Sequence, residues 1–175
     1  MLPLEAAIGL KYLQRLRGFG LARRKSTGMD CYLHDPQATH ALGTQLAQDL
    51  PAGSILLLSG PLGAGKTALV QGLAAGLGIQ EAVTSPTFAL AQHYNLSGQS
   101  GLPVLVHLDL YRLELADAAD ELFAQEEDLA IGCNALLAVE WPERLSQLPK
   151  GAWHLHLAHS GEGRRAQLTP PNGYP

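Results

Sequence analysis

SILLLSGPLGAGKT, residues Ser54–Thr67, decides how the rest of this chain is read. Ser54–Ser59 is a continuous apolar run bounded by turn residues, the pattern of a central parallel strand buried on both faces. Gly60, four free positions and then Gly65-Lys66-Thr67 follow at once, and Lys66–Leu77 reads as a helix. Glycines in such a turn let successive main-chain N–H groups point inward around phosphate oxygens, and the helix N-terminus beyond them favours an anion. In this spacing the lysine reaches β- and γ-phosphates and the threonine hydroxyl coordinates Mg²⁺. With glycine at about 7% of average sequence, the four fixed positions arise by chance in well under ~1% of chains this long, so the stretch is read as a phosphate cradle and not an incidental turn. Gly60, Leu62, Gly63, Ala64, Gly65, Lys66 and Thr67 are therefore the candidate ATP-binding residues, with Thr67 also a candidate metal ligand.

Working outward, Cys31–His34 predicts a short strand. Asp35 is placed to N-cap a helix carrying Ala38, Leu42, Leu46 and Leu50, which Pro51 and Gly53 stop. Phe88–Tyr94 and Val104–Asp109 are strand-like, Ala116–Ala130 is acidic and helical, and Ala135–Glu140 (ALLAVE) is a second buried-type strand. Trp153–Ala158 alternates apolar residues with histidine and so predicts an edge or antiparallel strand, followed by a turn at Gly161–Gly163 and a last strand near Ala166–Thr169. Strands separated by helices imply an α/β fold, a single-domain P-loop NTPase with a mostly parallel central sheet flanked by helices and an antiparallel edge.

The 175 residues, 46% hydrophobic, suffice for one domain with a core of its own. Cys31 and Cys133 lie far apart with no zinc-type histidine spacing nearby, so free thiols in a reducing compartment, and a cytoplasmic location, are expected. No apolar run approaches the roughly 20 residues that cross a bilayer. The net charge of −4 is unevenly spread. Lys11, Arg15, Arg17, Arg23, Arg24 and Lys25 crowd the first 25 residues against the single acid Glu5, while the body from Met29 onward is acidic. An acidic body argues against tight direct nucleic-acid binding, which needs clustered cations. Residues 1–28 fit three readings: a targeting presequence, a partner-binding basic helix, and, as the default, a weakly ordered extension with Met29 as the functional start. The expected division is thus 1–28 extension, 29–170 ATPase domain and 171–175 tail.

In open α/β sheets ligands sit outside the carboxyl ends of the strands. Asp109 closes VLVHLD and Glu140 closes ALLAVE, and an acid there is costly to desolvate unless a cation or donor meets it. One carboxylate can help hold Mg²⁺ and the other can orient or deprotonate the attacking water; spacing alone leaves the assignment open. The hydroxyls of Thr84-Ser85-Pro86-Thr87 stand where such proteins carry a loop that senses the γ-phosphate. Arg112 and Arg144 are the only arginines between Thr27 and Gly163, too few for the arginine lid of a small-molecule kinase. No Asn-Lys-x-Asp string reads guanine, which leaves ATP by default. A small-molecule kinase and a non-hydrolysing, nucleotide-dependent interaction module are the competing functions. The histidines of Trp153–His159 are read as polar strand positions before metal ligands.

GPLGAGKT at Gly60–Thr67, VTSPTF at Val83–Phe88, HLDLYRL at His107–Leu113 and VEWPERL at Val139–Leu145 together resemble, in sequence and order, the TsaE (YjeE-type) family, over roughly residues 30–170. The resemblance implies an ATPase that works with the TsaB and TsaD proteins in making threonylcarbamoyladenosine beside the tRNA anticodon, touching tRNA only indirectly. It assigns Lys66 to phosphate, Thr67 and Glu140 to Mg²⁺, and Asp109 to an acid needed for hydrolysis. Thr87 and Trp141 match motif positions near the nucleotide, and Arg164 falls in a glycine-rich turn that touches ATP. The basic extension has no counterpart in the family pattern, and the acidic helix lacks the glycine often seen after its Glu-Leu.

Overall fold

The computed structural model describes residues 28–96 and 101–171. The expectations for the basic extension and for most of the tail lie outside the described residues.

Seven strands form one sheet in the order β1-β7-β6-β2-β5-β4-β3. They are β1 (Met29–Leu33), β2 (Ile55–Ser59), β3 (Ala91–Tyr94), β4 (Leu105–Asp109), β5 (Leu136–Glu140), β6 (Trp153–Ser160) and β7 (Gly163–Thr169). The four central strands β6, β2, β5 and β4 run parallel, and antiparallel partners close both sides, β7 and β1 at one and β3 at the other. The helices are α1 (Pro36–Asp49), α2 (Lys66–Leu77) and α3 (Ala116–Cys133).

Strand alternation sorts the core into two layers. Leu56, Leu58, Leu105 and Ala138 face the cluster built with Leu42 and Leu46 of α1 and Leu69 and Leu73 of α2. Leu57, Val106, Leu108, Leu137 and Val139 face the other cluster, with Ala119, Phe123 and Ala130 of α3. This three-layer arrangement is why β2, β4 and β5 read as unbroken apolar runs.

Local chemistry sets the ends. Asp35 Oδ1 accepts the Ala38 N–H at 2.7 Å, and Pro36 opens α1 with its φ already helical. α2 stops at Gly78 in the left-handed region, and α3 at Asn134 (φ 55°), one turn beyond the predicted Ala130. α1 and α2 meet at glycines. A Cβ at Gly43 would lie 2.1 Å from the Leu69 carbonyl oxygen, and one at Gly72 would lie 2.0 Å from that of His40. The Thr44 hydroxyl adds a hydrogen bond to the Gly72 oxygen at 3.1 Å.

Two expectations change. The strand predicted from Phe88 begins at Ala91, because Pro86–Leu90 forms a turn, with Leu90 N–H donating to the Pro86 oxygen and Leu90 at φ 66°. The Trp153–Ala158 segment is interior, antiparallel to β7 as expected but also parallel to β2. Its alternation reflects one-sided cover: Trp153, Leu155 and Leu157 are buried in the α1/α2 layer, whereas α3 packs on β4 and β5 and leaves the other face of β6 partly exposed. His156 uses that face to bond the Ser59 hydroxyl at 2.9 Å. Among the described residues no helix is long and apolar enough to cross a membrane.

A candidate nucleotide site at the carboxyl ends of the parallel strands

The Gly60–Thr67 loop joins β2 to α2 at the carboxyl end of the sheet. Its path needs glycine. Gly60 sits at φ 135°, where a Cβ would meet the Leu157 oxygen at 2.1 Å, and Gly65 leads into α2 at φ 102°. Leu62 points to solvent at the tip and the Ala64 side chain is buried, so both bring only their main chain to the loop. α2 starts without a side-chain cap and without an acid in its first turn, which leaves its positive end facing the loop.

Lys66 is the buried cation of the site. Its ammonium donates to the Gly60 and Pro61 carbonyls at 2.7 and 3.0 Å and lies 4.0 Å from the centre of the Trp141 indole. Burial lowers its pKa, while Glu140, Glu143 and Asp109 pull in the opposite direction. Trp141 holds this position from a left-handed backbone (φ 61°), with Tyr111 4.8 Å away on its ring.

The parallel register sets Asp109 opposite Glu140. Glu140 Oε1 accepts the Thr67 hydroxyl at 2.9 Å, so the carboxylate is tied to the first turn of α2, and the same oxygen is 2.9 Å from His107 Nε2. Asp109 Oδ2 accepts from the Ser85 and Thr87 hydroxyls at 2.9 and 2.5 Å, while its Oδ1 accepts the Tyr111 N–H at 3.0 Å. Arg164, expected in a glycine-rich turn, is instead the second residue of β7, where pairing with His159 and Leu33 holds it, and it donates to the Gly63 oxygen at 3.3 Å.

The fold thus gathers all the candidates around one loop. Thr87, Asp109, Glu140, Trp141 and Arg164 come from four separate stretches of chain: Glu140 and Trp141 meet Thr67 and Lys66, Arg164 meets Gly63, and Thr87 meets Asp109 beside Glu140. Sequence reasoning undervalued three further residues. Ser85 shares Asp109 with Thr87, and Tyr111 braces both Asp109 and Trp141. His107, read only as one of several strand histidines, is wholly buried against Glu140. Its signal was a histidine flanked by apolar residues inside the strand that Asp109 closes.

A hydroxyl beside a carboxylate is an oxygen donor pair suited to a hard cation such as Mg²⁺, and a lysine within a glycine turn suits phosphate. The residues present therefore fit a magnesium-bound nucleotide.

Comparison with known proteins shows the family. Residues 33–167 match the family described as threonylcarbamoyl adenosine biosynthesis protein TsaE. A Synechocystis protein named tRNA threonylcarbamoyladenosine biosynthesis protein TsaE is 50% identical over 124 residues, 69% of this chain and 74% of that one. A Nostoc protein of the same name is 41% identical over 145 residues, 81% and 85% of the two chains. The crystal structure of Bacillus subtilis YdiB superposes with a TM-score of 0.65 at 28% identity, covering 87% of this chain and 92% of that one. With most of its length inside the matched region and the four motifs folded into one site, this chain belongs to the TsaE family.

Proposed function

We propose that this protein binds ATP with Mg²⁺ and hydrolyses it in support of tRNA threonylcarbamoyladenosine biosynthesis, acting with TsaB and TsaD. The pathway is supported by the names of its relatives. The chemistry is supported chiefly by one observation: Lys66 and the Thr67–Glu140 pair meet at a single glycine loop, with the hydroxyl-bound Asp109 directly opposite Glu140 on the next strand.

In this reading the loop amides and Lys66 grip the phosphates, and Arg164 closes the rim beside Gly63. Thr67 and Glu140 hold the magnesium, which when bound neutralises charge on the phosphate oxygens. Asp109, opposite Glu140, orients the attacking water with Ser85 and Thr87 at its side. Water adds to the γ-phosphorus as the bond to the bridging oxygen breaks, leaving ADP and, after proton loss, inorganic phosphate. Trp141 lies over Lys66 and limits water beside the ammonium. The work of such an ATPase is that of a slow reset device for the partner proteins, its γ-phosphate ordering the Thr84–Thr87 loop.

ATP titration with and without TsaB and TsaD, following phosphate release and tRNA modification, tests the reading. Repeated modification turnover that depends on this protein and on ATP is the expected result. Label passing from the γ-phosphate to a metabolite would instead indicate a kinase, and unchanged modification without the protein would remove it from the pathway. Lys66→Ala should weaken nucleotide binding roughly tenfold to hundredfold, since one charged hydrogen bond contributes about 1.5–3 kcal/mol. Wild-type affinity in that variant would contradict the assignment of the loop.

A further inference from the structure

His107 sits midway along β4, on the face shared with Leu105 and Ala138 that packs against α1 and α2. It is wholly buried, and its Nδ1 has no hydrogen-bond partner. An orphaned ring nitrogen in a dry core is unfavourable, and a leucine would fill the same space without that cost. Packing alone therefore does not account for an imidazole here.

Its other nitrogen has a specific task. A carboxylate can only accept, so the ring donates from Nε2 to Glu140 Oε1 at 2.9 Å. The Thr67 hydroxyl donates to the same oxygen, also at 2.9 Å. Two donors, one from a strand and one from a helix, thus converge on Oε1, while Oε2 takes no hydrogen bond among the described residues. Side-chain partners of this kind, placed behind a metal-binding carboxylate, set its orientation and commonly alter metal affinity tenfold to hundredfold.

We propose that His107 is a positioning residue that, with Thr67, pins one oxygen of Glu140 so that the other is presented to the divalent cation accompanying the nucleotide. The inference rests on the nucleotide-magnesium reading above, and concerns how the metal-binding carboxylate is aimed rather than which residue binds.

The test is direct binding with the full chain and no turnover. Affinity for a fluorescent ATP analogue is measured in EDTA and in Mg²⁺, and Mn²⁺ binding to the nucleotide complex is followed by electron paramagnetic resonance. His107→Leu should weaken metal binding about tenfold to hundredfold while leaving metal-free nucleotide affinity near wild type. His107→Gln, whose amide nitrogen reaches about as far as Nε2, should recover most of the metal affinity, whereas the shorter His107→Asn should not. Wild-type metal affinity in His107→Leu overturns the proposal, and so does an equal loss of metal-free and metal-dependent binding, which marks a purely structural role. Should His107→Leu fail to fold, the Gln and Asn variants decide: equal metal affinity in both overturns the proposal. A wild-type protein without any metal-dependent binding is a separate outcome, which overturns the nucleotide reading itself.

Discussion

Asp109 and Glu140 end neighbouring parallel strands, face each other in register and are buried almost equally, yet they are held by different kinds of structure. Glu140 is fastened by regular elements, Thr67 in the first turn of α2 and His107 inside β4. Asp109 is fastened mainly by the coil between α2 and β3, where Ser85 is exposed and Thr87 only half-buried. A group on helix and strand ends holds its position closely, whereas one bound by loop hydroxyls exchanges partners at small cost. On the proposed function, the half of the site assigned to the metal is built in advance, and the half assigned to the water is where the protein adjusts.

The largest expected effect separates the two carboxylates by what they control. Asp109→Asn should lower phosphate release by roughly 10²–10⁴, the usual weight of a group that positions or accepts a proton, with little change in magnesium-dependent affinity. Glu140→Gln should do the reverse first, weakening magnesium-dependent nucleotide binding by about tenfold or more. Equilibrium binding alongside single-turnover phosphate release distinguishes them. Equal losses of affinity in both variants would break the comparison.

A smaller effect should come from the support beneath the Glu140 side. Because a Cβ at Gly72 has no room against the His40 oxygen, Gly72→Ala forces α2 away from α1 and moves Thr67 with it. Overpacking of this kind costs about 1–3 kcal/mol, a fall of several degrees in Tm for a domain of this size. Thermal unfolding and magnesium titration should worsen together. An unshifted Tm would mean that the helices separate freely and that the metal half is less rigid than its elements suggest.

The sequence was most readable where local chemistry and tertiary role coincide. Lys66–Leu77 is a helix over the predicted range, because its start is set by the glycine loop and its end by Gly78. Asp35 caps α1 as its position implied, and Asp109 and Glu140, read as acids closing apolar strands, do end neighbouring strands. Legibility failed where a distant neighbour decides. Phe88–Leu90 has strand-like composition, but the Leu90 N–H turned back to the Pro86 oxygen and the left-handed backbone of Leu90 end the strand there, leaving the Asp109 N–H to the Leu90 oxygen as the last bond to β4. The alternation of β6 reports a single covered face and carries no sign of the β2 pairing that makes the strand interior. His107 looks like any strand histidine until the register pairs it with Ala138 and so places Glu140 two residues further along the adjacent strand, on the same face.

The smallest effect tests the water half. Thr87→Val removes one of the two hydroxyls on Asp109 Oδ2 and leaves Ser85 on the same oxygen, so the loss should stay near 0.5–1.5 kcal/mol, the worth of a single hydrogen bond with a substitute at hand. The Ser85→Ala, Thr87→Val pair should lose more than the sum of the single changes, because only then is that oxygen stripped of both donors. Hydrogen exchange of the amides from 83 to 90 reads the result without any need for turnover. Faster exchange confined to this stretch fits a loop latched by Asp109, whereas additive losses, or exchange that quickens in α2 as well, would mean that the two halves of the site move as one.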